Sequence, residues 1–203
     1  MALSDTQVFH LAKRMNVPLI FCDFKTNLHE HKLQYNKAYI VNLEDEFDKD
    51  GKPNDGSHYT AFQVNKYHNG KIEKCYFDSY GQPPPEEVCS FIGMGHCPYN
   101  TKDIQSLMNN ACGWYCLAWL YFINCYEQRS HDLYCDCEAF TSLFNDLDKT
   151  HDHKYNEFVL HNFFREKDPE KRKKINIYGK GEGVVENPEM PDPRTIFSEY
   201  HSK

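Results

Sequence analysis

Apolar side chains recur at helical spacing at Val8, Leu11, Ala12 and Met15, behind Ser4 and Asp5 as cap residues, and this predicts a first helix from Ser4 to Met15. After Pro18 the pattern changes. Residues 19–24 form an extended apolar run, and Tyr39 to Leu43 a second β-rich one. Residues 58–67 and 71–80 are dense in Tyr, Phe, Val and Ile, and His68, Asn69 and Gly70 between them predict a hairpin. The acids, glycines and proline between Asp45 and Gly56 spell a loop; its Asp48/Asp50 pair lacks the further ligands of a calcium site. Glu86 to Ile92, directly after three prolines, reads as a short helix. From Gly113 to about Tyr126 nearly every position is apolar, and a helix hydrophobic on all sides belongs inside the core. Two more amphipathic helices are predicted, Cys135 to Leu147 and Tyr155 to Phe164. Beyond Glu166 the periodicity is lost. We therefore expect one domain over 1–165 and a mobile tail over 166–203.

The hairpin register decides which side chains can meet. A two-residue Asn69-Gly70 loop would set Ala61 opposite Asp78 and send His58 and Asp78 to opposite faces. A three-residue loop with Gly70 in the left-handed conformation would set Thr60 opposite Asp78, leaving His58 as its diagonal neighbour at roughly 7–8 Å.

With 203 residues, 40% of them hydrophobic, the chain can bury one sizeable core. No stretch has the roughly 18 apolar residues of a membrane span, and the N-terminus lacks the basic start and apolar run of a signal peptide, so a soluble cytosolic product is expected. The nine cysteines are odd in number and the chain is too large to need stapling, which predicts reduced thiols. A net charge of −7 disfavours broad adhesion to nucleic acid; the basic run Lys171 to Lys174 reads as a solvated helix end. His131, Cys135, Cys137, His151 and His153 do not have the spacing of a standard zinc site, so neither a metal nor another cofactor is expected.

Cys112 stands where the unpaired amides of the buried helix point, a position that favours thiolate, and Gly113 beside it leaves room for a carbonyl to approach. Gln105, seven residues earlier, offers an amide donor for an oxyanion. His58 follows the flexible Asp55, Gly56 and Ser57. Asp78 lies among aromatics, where a carboxylate is costly without a partner and an imidazole N–H would satisfy it. Taken singly, a cysteine at a helix start is commonly packing and a histidine commonly a surface residue. Together they supply nucleophile, base, orienting acid and oxyanion donor.

His58-Tyr59, the run Tyr76 to Gly81, and Gln105 with Cys112, Gly113 and Cys116 resemble the signature of the adenovirus-type maturation protease, adenain, and its clan, which includes the SUMO-deconjugating proteases. The resemblance covers residues 58 to about 120. The order His, acid, Gln, Cys is that clan's and the reverse of papain-like enzymes. The step from Gln105 to Cys112 looks like adenain, whereas an Asp at 78 is closer to the SUMO proteases, and Tyr59 replaces a tryptophan common after the histidine. Virophage and Maverick/Polinton enzymes are the most similar.

The resemblance implies an α+β fold of the ubiquitin-like-protease/adenain type, with a central buried helix on a small mixed sheet and helices around it. It implies a monomeric cysteine endopeptidase that processes capsid or other virion precursors in host cytoplasm and virion, with Cys112 as nucleophile, His58 as base, Asp78 orienting it and Gln105 holding the oxyanion. The alternatives are removal of a ubiquitin-like modifier and a catalytically silent binding module. Adenain is stimulated by a viral peptide and by DNA; no residue here aligns with either contact, and the acidic charge argues against DNA. Ile177 to Gly181 fits the apolar-x-Gly-x-Gly form such enzymes cut, which implies self-cleavage after Lys180.

Overall fold

The computed structural model describes residues 2–93, 95–125 and 132–164. A four-stranded mixed sheet in the order β1-β2-β3-β4 divides it: β1 (Leu19–Phe24) runs parallel to β2 (Lys37–Asn42), and β3 (Tyr59–Lys66) and β4 (Ile72–Phe77) follow antiparallel. The fold class is therefore α+β. A 3₁₀ segment, Lys25–Glu30, which the sequence pattern did not reveal, links β1 to β2.

Both faces of the sheet are covered, which explains the near-continuous burial of β2 and β3. On one face Ala38, Ile40, Ala61, Cys75 and Phe77 meet the main core; on the other Tyr39, Val41, Phe62, Val64 and Tyr76 meet the 3₁₀ segment and α2 (Glu86–Ile92). The period-2 alternation sends neighbouring residues to different cores.

The main core is organised around α3 (Cys112–Cys125), which buries residues on all its sides. Trp119 stacks on Phe77 with ring centres 5.3 Å apart, and Phe140 meets the same Phe77 edge-on at 5.5 Å. Around α3 pack α1 (Asp5–Arg14), α4 (Leu133–Ser142) and α6 (His153–Phe163). Ser4 caps α1 in a reciprocal capping box with Gln7.

The helix expected over Cys135 to Leu147 is divided: α4 starts earlier, at Leu133, and ends at Ser142, and the one-turn α5 (Leu147–Thr150) follows. The buried Asn156 of α6 explains the break, because its Oδ1 accepts from Asn145 N (2.7 Å) while its Nδ2 donates to the carbonyls of Asn145 (2.8 Å) and Ile104 (3.0 Å). The two bonds to Asn145 occupy backbone groups that a continuous helix would have paired with itself. The expected tail over 166–203, its basic run and the Lys180 cleavage point lie outside the described residues.

Candidate active site

The β3–β4 turn adopts the three-residue alternative. Lys66 pairs with Ile72 and Ala61 with Phe77, Tyr67 N donates to Lys71 O at 2.9 Å, and Gly70 takes φ +83°. This register, continued by one pair, sets Thr60 opposite Asp78 and leaves His58 and Asp78 just beyond the strand ends, on one side. His58 Nε2 lies 2.9 Å from Asp78 Oδ1. Gly56 holds φ +85° on the approach to His58, and the Asn42 side chain occupies the space a Cβ would need there.

Asp78 is only 1% exposed, and its position is over-determined. Its Oδ1 also accepts from Tyr80 N at 2.7 Å, and its backbone is held on both sides by Asn100, which accepts from Asp78 N (3.0 Å) and donates to Asp78 O (2.7 Å). A buried carboxylate so held can fix an imidazole's tautomer and orientation.

Cys112 opens α3, and Tyr115 N bonds to Ala111 O, so the Cys112 N–H is one of the helix's unpaired amides. Burial pushes the thiol pKa up, but the adjoining His58 ring and the Tyr59 and Gly113 amides outweigh it, and the net direction is down. His58 moves the other way: burial lowers its pKa, while hydrogen bonds with Asp78 and Cys112 lift it from 6.5 to about 9. Both directions favour a thiolate–imidazolium pair at neutral pH. With Nε2 committed to Asp78, Nδ1 is the ring nitrogen left to face the sulfur.

Gln105 reaches the same place on a separate segment. Ser79 O accepts from Ile104 N (2.9 Å) and Gln105 N (3.2 Å), and Ser79 Oγ donates to Gln105 Oε1 at 2.7 Å. From the other side Lys102 Nζ caps the end of α4 through Thr141 O (2.9 Å), and Asn156 holds Ile104 O. The Gln105 Nε2 group, the expected oxyanion donor, points to Tyr80 OH (3.1 Å) and Asn109 O (3.0 Å).

All four residues expected from the sequence thus belong to one connected cluster. Sequence reasoning assigned no role to Tyr80, whose ring lies 4.7 Å from that of His58 and whose hydroxyl meets the Gln105 amide. Nor did it assign roles to Ser79 and Asn100. Ser79 and Tyr80 lie within the quoted run from Tyr76 to Gly81, so proximity to Asp78 was the available signal; Asn100 gave none. Cys22, Cys75, Cys89, Cys97, Cys112, Cys116, Cys135 and Cys137 are not in disulfides, and among the described residues no three potential ligands gather as a metal ion would require. No helix among the described residues is long and apolar enough to cross a membrane.

Neither a protein-family model nor a curated protein matches this chain.

Proposed function

We propose that the protein is a cysteine endopeptidase of the ubiquitin-like-protease/adenain type. The observation that carries this reading is the contiguous series of Cys112 at the head of a buried helix, His58 against it and Asp78 2.9 Å behind the ring. In the proposed cycle the Cys112 thiolate attacks the scissile carbonyl, forming a C–S bond and an oxyanion. The Cys112 N–H and the Gln105 amide stabilise that charge, the latter after exchanging Asn109 O or Tyr80 OH for the substrate oxygen. His58 passes its proton to the departing amine, and a thioester remains. Neutral His58 then takes a proton from water; the hydroxide displaces sulfur, and the acid product leaves as the pair is restored.

The sequence resemblance supports virion precursors as substrates, cut in host cytoplasm or in the assembling particle. Asp78 in place of glutamate favours a second reading, removal of a ubiquitin-like modifier. Incubating the protein with a capsid precursor and with a ubiquitin-like fusion separates the two by which one is cut. Cys112→Ala abolishes both cleavage and active-site alkylation with the fold intact; hydrolysis that persists in this variant refutes the assigned nucleophile.

A further inference from the structure

Tyr80 touches both halves of the proposed machinery. It stands in the turn after β4, where Gly81 N bonds back to Asp78 O at 2.9 Å, and its own N–H donates to the Asp78 carboxylate at 2.7 Å. From there the ring leans over that of His58, with centres 4.7 Å apart and planes 33° from parallel, and the hydroxyl accepts from Gln105 Nε2 at 3.1 Å. Backbone, ring and hydroxyl are thus each held, by the orienting acid, the base and the oxyanion donor in turn.

The hydroxyl is used on one side only. A phenol oxygen both accepts and donates. Here it accepts from Gln105, and among the described residues nothing takes its own hydrogen. Accepting a hydrogen bond polarises the O–H and strengthens it as a donor. Burial first, and then the charge of Cys112 ahead of those of Asp103 and Asp78, pushes the phenol pKa up to about 12, so the group keeps its proton wherever the thiolate–imidazolium pair exists. Among the charged groups acting on this hydroxyl the Cys112 sulfur is the strongest, as groups close in space must be.

We infer that the Tyr80 hydroxyl is a further catalytic donor, which binds the oxyanion formed on the scissile carbonyl together with the Gln105 amide and the Cys112 N–H. This rests on the peptidase reading and adds a residue to its chemistry. The Gln105 amide nitrogen carries a hydrogen for each of its two partners; releasing Asn109 O turns one to the substrate while the other stays on Tyr80. Donors 3.1 Å apart lie close enough to converge on one oxygen about 3 Å from each. The developing charge then meets hydrogen bonds set in advance, and it gains more from the added one than the neutral carbonyl does.

Tyr80→Phe removes this oxygen and leaves the ring over His58. Because the change also takes an acceptor from Gln105, it is made both in the wild type and in Gln105→Ala, and peptide hydrolysis is followed throughout, with melting temperature and iodoacetamide alkylation of Cys112 beside it. Alkylation creates no oxyanion. In the wild-type background kcat is expected to fall at least about tenfold, with KM and the alkylation rate within about twofold. In the Gln105→Ala background a further fall of at least about fivefold is expected, since a donor acts without its neighbour. A phenylalanine effect that vanishes once Gln105 is gone overturns donation and leaves Tyr80 as a support for that amide. An unchanged kcat overturns it as well, and so does a parallel fall in alkylation or melting temperature, which marks a packing role. These outcomes leave the peptidase standing; absence of any cleavage by the wild type removes donor and peptidase together.

Discussion

Replacing Asp78 by asparagine keeps the shape of a side chain that is 1% exposed while removing its charge from behind His58. The Asn Oδ1 can still accept from Tyr80 N, and the backbone clamp by Asn100 does not involve the side chain, so the fold should survive. The imidazolium loses most. A rise from 6.5 to about 9 against the opposing effect of burial corresponds to roughly 3 kcal/mol of preference for the charged ring. Asp78 and Cys112 supply it together. If Asp78 provides about half, its neutralisation weakens the thiolate–imidazolium pair by about 1.5 kcal/mol, close to tenfold. The sign follows from the two shifts: His58 is raised, so it loses its proton earlier in the variant, and Cys112 is lowered by His58, so its pKa climbs back. Iodoacetamide alkylation of Cys112 at about pH 6 should therefore slow by about tenfold, and the gap should narrow as pH approaches about 10, where deprotonation no longer depends on the imidazolium. Equal rates at the lower pH would show that Asp78 does not support His58. A deficit that persists undiminished at high pH would show structural damage instead.

Other outcomes follow from the same geometry. Gln105→Ala should lower kcat by about 10²–10³ while alkylation of Cys112 stays near the wild-type rate, because the amide acts on the oxyanion and not on the thiol; parallel loss of both would assign it a structural role. Gly81→Ala should destabilise the protein by about 1–3 kcal/mol in denaturant titration, since the residue holds φ +70° and an added Cβ would stand 2.7 Å from the Thr101 backbone. A wild-type midpoint would show that the turn after Asp78 can relax. For the wild type, peptide hydrolysis should keep its rate into mildly acid pH and fall above about 9 as His58 loses its proton; a profile rising through pH 10 would contradict an ion-pair mechanism.

Much of the architecture was written in local patterns. Six consecutive residues of extended apolar chain gave β1, the stretch after three prolines gave α2 at its observed bounds, and uninterrupted hydrophobicity from residue 113 gave the buried helix. The 3₁₀ segment escaped because one or two turns with mixed composition carry no periodic signal. The split between α4 and α5 escaped for another reason: it is imposed by Asn156, which lies 11 residues beyond Asn145 and makes its bonds only once α6 has docked.

The sequence by itself determined the residue types of the candidate site, the helix start beneath Cys112 and a hairpin bringing His58 near Asp78, since these depend on neighbours along the chain. It left two registers open. Tertiary structure decided between them, because only the packed sheet, with a separate core on each face, fixes which way every side chain points. It alone also determined the Asn100 clamp, the Tyr80 ring over His58 and the placing of Gln105 through Ser79 and Asn156. Those contacts join segments 22 to 52 residues apart, and side-chain contacts across such separations leave no periodic trace in the order of amino acids.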